Sequence, residues 1–209
     1  MSLEALDWNV VVAGYWNPAI LTPAGIARRL FGLAEGTPIL IEVPVDGLAP
    51  YRVRHNNLTV TAEMGRLVVS ADAPRYDLLD RAREAAARAI EGLPETPLTA
   101  AGYNIRMKIG DPPNELIAAT ACGIDALLSD AEFSIESQSL RRSLKVRDGI
   151  LNLGIQQGKD VTVEFNFHRQ SSKQDELVAW LKYPINEVVK TVSLVFEKVI
   201  LVPLGEIGK

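Results

Sequence analysis

The feature of this 209-residue chain that most constrains its fold is a repeated order of predicted elements. In each half, the sequence pattern predicts a strand, a helix, a four-stranded antiparallel meander and a closing helix. The first copy spans residues 1–95 and the second 96–209, with a proline-containing segment, 94–97, between them. We therefore predict an α+β fold in one continuous domain, with a curved antiparallel sheet and helices packed on one face.

Two tight hairpins in the first half test this interpretation. An Asn56-Asn57 turn would place Val53 opposite Val60, and a Met64-Gly65 turn would place Val60 opposite Val69. Both registers sort apolar side chains onto one face and polar side chains onto the other. A slip of one residue would invert every side chain, so the agreement of the two turns favours the meander.

The second half predicts one apolar helix from Asn114 to Leu128, buried on most sides and with Cys122 in the core. The strands expected after it are Glu132–Glu136 and Ser139–Arg147, which together could be one bent strand. Together with the two strands that follow, they give the predicted second meander four strands.

Two further turns set the predicted register of this meander. An Asp148-Gly149 turn would place Val146 opposite Leu151. A three-residue loop, 157–159, would then place Ile155 opposite Val161 and keep the apolar residues on one face.

The closing helices carry the apolar stripes expected of elements that pack on a sheet. In the first, from about Pro74 to Gly92, Leu79 and Ala86 belong to the apolar stripe and Arg83 to the wet face. In the second, Pro184 should kink or break the helix, because proline lacks an amide hydrogen and clashes with the preceding turn.

The repeated order of strand, helix, four strands and helix is similar to the TATA-box-binding-protein-like topology, a curved antiparallel sheet with helices on one side. No sequence motif accompanies this similarity, and the halves share no convincing residue-level match. The similarity therefore implies an arrangement of strands and helices, and no function follows from it.

Composition excludes some classes of protein. Hydrophobic residues make up 47% of the chain and charged residues 23%, which is enough to bury a sizeable core. The formal net charge of −4 argues against a protein dedicated to wrapping nucleic acid or coating an anionic membrane. Because Cys122 is the only cysteine, no intramolecular disulfide can form, and we expect a cytoplasmic protein. Residues 1–7 lack the pattern of a signal peptide, and charges interrupt the most apolar stretch, 188–204.

The sheet face opposite the helices, called here the open face, should carry more cations than carboxylates. Such a face could bind an anionic ligand or a protein partner, or line a contact between two copies of the chain. The alternative is an ordinary solvated face, which antiparallel sheets commonly keep. The candidate ligand-binding residues are Arg52, Arg54, Arg106, Lys108, Arg141, Lys145, Arg147, Glu164, Asn166 and His168.

The sequence contains few residue patterns that are typical of a catalytic site. His168 ends a strand with Glu164 on the same face, which could orient an imidazole general base, although a solvated strand-end histidine has the same pattern. Cys122 lies in an apolar helix, where a nucleophilic thiolate would not form. The two histidines, His55 and His168, lie far apart and without metal-binding spacing, so we expect neither a metal nor a cofactor.

Three hypotheses follow. The first is a non-enzymatic binding or assembly protein, a homodimer or a subunit, that uses the open face or a strand edge for a protein partner or an anionic ligand. The second is a small hydrolase-like enzyme with His168 and Glu164 at the open face. The third is a weak binder of single-stranded nucleic acid, against which the scarcity of aromatic residues on this face argues.

Overall fold

The computed structural model describes residues 2–45, 49–205 and 208 of the chain, which form an α+β fold built on one antiparallel sheet. The nine strands lie in the order β2-β3-β4-β5-β1-β6-β9-β8-β7. The predicted fold class is confirmed at this level. The strands are β1 (Ser2–Gly14), β2 (Leu40–Glu42), β3 (Arg52–His55), β4 (Leu58–Glu63), β5 (Arg66–Ala71), β6 (Leu98–Gly110), β7 (Gln138–Val146), β8 (Gly149–Gln157) and β9 (Val161–Gln170).

Helices cover one face of this sheet. They pack through apolar side chains such as Leu79 and Leu177 onto the buried strand residues Val10, Ile105 and Phe165, and a single hydrophobic core takes residues from both halves. The helices are α1 (Pro23–Arg29), α2 (Tyr76–Gly92), α3 (Asn114–Thr120), α4 (Gly123–Asp130), α5 (Gln174–Leu181) and α6 (Ile185–Val195), which continues into a π-helical turn (Phe196–Ile200).

The two longest strands, β1 and β6, pair antiparallel in the middle of the sheet. Val10 lies opposite Tyr103, and both side chains are buried on the helix side. The register shifts between Ala5 and Trp8, and this irregularity places the exposed Asp7 beside the ladder. Each central strand is flanked on its other side by the last strand of its own half, β5 or β9.

Both hairpin registers predicted for the first half are confirmed. Val53 lies opposite Val60, and Val60 lies opposite Val69. Asn56 and Asn57 have φ angles of 48° and 63°. Two consecutive left-handed residues define the type I′ turn that matches the twist of the flanking strands, and asparagine tolerates this conformation well.

The second meander differs from the prediction in its strand number and its register. It has three strands, because β7 begins at Gln138 and residues 132–136 form no strand. The first turn consists of residues 147 and 148, so Val146 lies opposite Gly149 instead of Leu151. The next loop has the predicted three residues but spans 158–160, which places Ile155 opposite Val163. Each pairing is displaced by two positions, so the side chains that remain within the strands keep their predicted face.

Packing explains the first displacement. A Cβ atom added to Gly149 would lie 2.6 Å from the carbonyl oxygen of His168 and 2.6 Å from the ring of Trp180. The glycine is therefore required by a close approach inside the sheet, and the left-handed turn position is taken by Arg147 with a φ angle of 54°. The Asp148-Gly149 motif alone does not reveal that the glycine packs inside the sheet while Arg147 adopts the left-handed turn conformation.

The helix predicted from Asn114 to Leu128 is two helices, and this prediction was wrong in its burial as well. The chain breaks at Ala121 and Cys122, where the main-chain N–H of Cys122 donates to Asp125 Oδ2 at 2.7 Å. Gly123 favours such a break because glycine is a poor helix former. Helix α4 buries none of its residues, and Cys122 is exposed.

The C-terminal helices confirm the predicted break. Helix α5 ends at Leu181, and α6 begins directly after Pro184. No helix within the described ranges combines the length and the apolar character needed to cross a bilayer.

Arg83 is the main correction in the helix layer, because the periodicity of α2 placed it on the wet face. Its side chain is only 1% exposed. Its guanidinium donates to the carbonyl oxygen of Leu181 at 2.9 and 2.7 Å, donates to that of Tyr183, and lies 5.0 Å from the ring centre of Tyr103. Arg83 thus joins α2 of the first half to the end of α5 in the second half.

We expect Arg83→Ala to lower the free energy of unfolding by about 3 kcal/mol, because one buried and one partly buried carbonyl group lose their donor and a cavity forms. Arg81→Ala is the matched control, since Arg81 donates to the carbonyl oxygen of Asn56 in an exposed position on the same helix. Urea denaturation measures both changes. Equal losses in the two variants would contradict the role assigned to Arg83.

Candidate binding surface on the open face

The open face is built by the strand residues whose side chains alternate with the buried ones. The burial pattern of β9, for example, alternates between buried Val163 or Phe165 and partly exposed Glu164 or Asn166. The same register carries this sorting across neighbouring strands. Apart from Arg147, the ten candidate residues lie on strands and on this face, as predicted.

Three of the candidate cations are neutralised by carboxylates of the same chain. Arg54 binds Glu42 at 2.8 Å and Asp72 at 2.9 Å. Its hydrogen bond to Glu42 is the largest cause of the raised pKa of Arg54. These contacts leave Arg54 little unpaired charge for a ligand.

The central strand β6 carries the other two neutralised cations. Arg106 lies 2.8 Å from Asp7, the residue beside the β1 irregularity. Lys108 lies 3.2 Å from Asp160 and 3.7 Å from Glu4, and the hydrogen bond to Asp160 is the largest cause of its raised pKa. The sequence pattern did not predict this neutralisation, because Asp7 lies in the irregular part of β1 and Asp160 in the loop before β9, both outside the alternating pattern.

Arg147 does not lie on the open face, which corrects its predicted placement. It occupies the turn between β7 and β8, and its guanidinium lies 3.5 Å from the ring centre of Tyr183. Tyr183 follows α5 on the helix side of the sheet. The prediction failed because the turn lies one residue earlier than Asp148-Gly149.

Apart from Arg147, which packs on Tyr183, three candidate cations form no ion pair with any carboxylate among the described residues: Arg52, Arg141 and Lys145. Arg52 lies on β3, near the opposite edge of the sheet from the other two. Arg141 and Lys145 lie on the edge strand β7, four residues apart and on the same face. Among the described residues of the second half, Arg141 and Lys145 are thus the strand cations of the open face that lack an ion pair.

A row of hydrogen-bonded amides crosses the middle of the open face. Ser143 Oγ donates to Asn152 Oδ1 at 2.7 Å, and Asn152 Nδ2 donates to Asn166 Oδ1 at 3.1 Å. Asn166 Nδ2 donates to Asn104 Oδ1 at 2.6 Å, and Asn104 Nδ2 donates to Asn9 Oδ1 at 2.8 Å. These five residues are direct cross-strand neighbours on β7, β8, β9, β6 and β1, and we call them the amide ladder.

The amide ladder keeps hydrogen-bonding capacity for a ligand. A side-chain amide offers two N–H donors and a carbonyl with two lone pairs. Within the described part of the chain, Asn104 and Asn166 each use one donor and accept one bond in the ladder. Both side chains are partly exposed, so the remaining donors and acceptors face the solvent in fixed positions.

His168 and Glu164 are not brought together. His168 Nδ1 lies 3.3 Å from Asn152 Nδ2, and its cross-strand neighbours are Gly102 and Ile150. Glu164 lies two rows further along, opposite Arg106 and Gly154, with Asn166 between it and the histidine. The pairing required for a carboxylate-oriented imidazole base is therefore missing from the described residues.

The histidine instead lines a depression of about 690 Å³ at the β7–β8 turn, together with Ser143, Lys145 and Ile150 of the open face and with the turn residues Arg147 and Asp148. We define the β7–β9 surface as Arg141, Ser143, Lys145, Asn152 and His168. It combines two cations without ion pairs, an imidazole and the first members of the amide ladder. Such a set suits carboxylate or other anionic oxygen ligands, which accept hydrogen bonds from all of these groups.

Two kinds of site are not found among the described residues. No group of three or more histidine, cysteine, aspartate or glutamate side chains could hold a metal ion there. The described strands also place no phenylalanine, tyrosine or tryptophan on the open face. Platforms for single-stranded nucleic acid commonly stack bases on such rings.

We expect Asn104→Ala to lower the free energy of unfolding by about 1–2 kcal/mol, because it interrupts the amide ladder between Asn9 and Asn166. Gln156→Ala is the control, since Gln156 is an exposed amide on the same face with no side-chain hydrogen bond among the described residues. Its effect should stay within about 0.5 kcal/mol. Chemical denaturation measures both, and a silent Asn104→Ala variant would show that the ladder adds no stability.

Comparison of the chain with protein-family models, with curated proteins and with solved structures finds no match. The chemistry of the β7–β9 surface is therefore interpreted from its own residues, since a fold alone does not define a function.

Proposed function

We propose that this protein is a non-enzymatic binding protein that recognises an acidic protein partner, or a ligand with similar anionic groups, through the β7–β9 surface. The observation that carries this proposal is that Arg141 and Lys145 have no ion pair among the described residues, whereas Arg54, Arg106 and Lys108 do. The two unpaired cations lie next to an ordered row of amides. Charge and fixed hydrogen-bonding groups thus meet at one surface.

The overall charge of the chain supports a local and selective interaction. The net charge is −4, so an acidic partner is repelled by most of the molecule and attracted only where cations are concentrated. Electrostatic complementarity of this kind contributes to association rate and orientation more than to affinity. The amide ladder supplies the directional contacts that charge alone lacks.

Catalysis is not part of the proposal. The hydrolase hypothesis requires Glu164 to orient His168, but His168 Nδ1 lies 3.3 Å from Asn152 Nδ2, and Glu164 is two rows away. Single-stranded nucleic acid is also not favoured, because the open face within the described ranges offers no Phe, Tyr or Trp ring for stacking.

We also infer that the two halves are related by internal duplication, with a topology like that of the TATA-box-binding protein. The adjacent antiparallel strands β1 and β6, each flanked by the last strand of its own half, support this. The three-stranded second meander would then be a derived form of the four-stranded one. The inference concerns descent and architecture, and the proposed binding does not depend on it.

Self-association and location are separate parts of the proposal. A two-fold contact through β7 would bring Arg142 close to its own copy, so we favour a different acidic protein over a second copy at this edge. A homodimer would have to use another surface. Light scattering measures directly whether the chain forms a dimer. The single cysteine is in keeping with action in the cytoplasm.

A charge reversal tests the proposed function with poly-glutamate as the probe. Arg141→Glu combined with Lys145→Glu should weaken binding of fluorescently labelled poly-glutamate by about tenfold or more, because two attractive contacts become repulsive. Fluorescence anisotropy at pH 7 measures the affinity, and raising the salt concentration should weaken wild-type binding.

The matched control reverses two exposed charges on the helix side, Lys190→Glu with Lys198→Glu. This variant has the same net charge as the first, so it should retain most of the wild-type affinity. An equal loss in both double variants, or no binding by the wild-type protein, would reject the proposed surface.

A further inference from the structure

The two edges of the sheet differ in a way that points to one docking position. Edge strand β2 has three residues, and short edge strands pair poorly with other chains. Edge strand β7 has nine residues, contains no proline and pairs with β8 without a register shift. It therefore presents a long, regular edge, which proteins usually shorten, bend or cover.

The main chain of β7 is available on its outer side. Val146 and Gly149 flank a two-residue loop and so form a hydrogen-bonded pair, and such pairs alternate along an antiparallel ladder. The N–H and C=O groups of Arg141, Ser143 and Lys145 therefore point away from β8. In keeping with this, the carbonyl oxygen of Arg141 accepts a hydrogen bond from Arg142 Nη1 at 2.8 Å, a side-chain donor in place of a strand.

Both faces of β7 are uncovered at its centre. The five consecutive residues from 141 to 145 are all exposed, including those on the helix side of the sheet. Leu144, an apolar side chain on that side, is 41% exposed. The helix layer thus ends before the sheet does, and an added strand would cover both Leu144 and the outer main chain.

Charge selects the kind of strand that would fit. Within β7, Arg141, Arg142 and Lys145 are cationic and no residue is acidic. Like charges directly opposite each other destabilise a strand pair, whereas opposite charges stabilise it. The edge therefore disfavours a second β7 and favours a strand with carboxylates at matching positions.

From these observations we propose that β7 accepts an extended acidic segment of a partner protein as a tenth strand of the sheet. Carboxylates four residues apart in that segment would lie beside Arg141 and Lys145 on the open face. Aliphatic side chains at the intervening positions would pack on Leu144 on the other face. This inference rests on the proposed function and names the way in which the partner binds.

The probe is a blocked heptapeptide of sequence Val-Glu-Val-Thr-Val-Glu-Val, which places two carboxylates on one face and aliphatic residues on the other. The decisive comparison is Arg141→Pro against Arg141→Ala. Both variants lose the same charge, but only the proline removes an outward N–H, and proline is tolerated at strand edges. We expect Arg141→Pro to bind the heptapeptide about tenfold more weakly than Arg141→Ala, measured by isothermal titration calorimetry.

A second measurement does not depend on the folding of the proline variant. The same heptapeptide with N-methyl groups on alternate residues keeps its charges but cannot complete the ladder, so wild-type protein should bind it at least about tenfold more weakly. If both comparisons show equal binding while poly-glutamate still binds through Arg141 and Lys145, strand addition is wrong and the proposed function stands. If neither probe binds, both proposals are rejected.

Discussion

The antiparallel pairing of β1 with β6 is the constraint on which the rest of the structure depends. Each strand has 13 residues, and their shared register joins the two halves into one sheet. Because side chains alternate, the register that buries Val10 beside Tyr103 also places Asn9 beside Asn104 on the other face. The same pairing thus supplies the middle of the core and the end of the amide ladder. A slip of one residue would destroy both, which ties the chemistry of the open face to the stability of the fold.

The sequence predicted the parts of the fold that short-range chemistry determines. Asn56 and Asn57 favour a type I′ turn by themselves, so the register of the first meander followed from local residues. In the second meander, Gly149 has a packing role against Trp180, and the turn moved by one residue. The burial of Arg83 depends on carbonyl groups of Leu181 and Tyr183, about a hundred positions away, which no periodicity within α2 can reveal.

The sequence was sufficient to predict on which face of the sheet the candidate residues lie, but not which of their charges are neutralised. The alternation of side chains placed nine of the ten candidate residues on the correct face. It cannot show which carboxylates in bulges and loops form ion pairs with them. Asp7 and Asp160 neutralise Arg106 and Lys108 from such positions. The amide ladder was also not predicted, although Asn104, Asn152 and Asn166 each occupy a polar position in the strand pattern. Their alignment becomes visible only when the corrected register places all three in one row.

Strand β7 is an open edge whose outward N–H groups have no partner among the residues that the structure describes. Amide hydrogen exchange measured by NMR tests this claim residue by residue. We predict rapid exchange at Arg141, Ser143 and Lys145 and slow exchange at Arg142 and Leu144, whose N–H groups point towards β8. Equal protection at all five residues would show that the edge is already covered, and it would contradict the way in which the partner is inferred to bind.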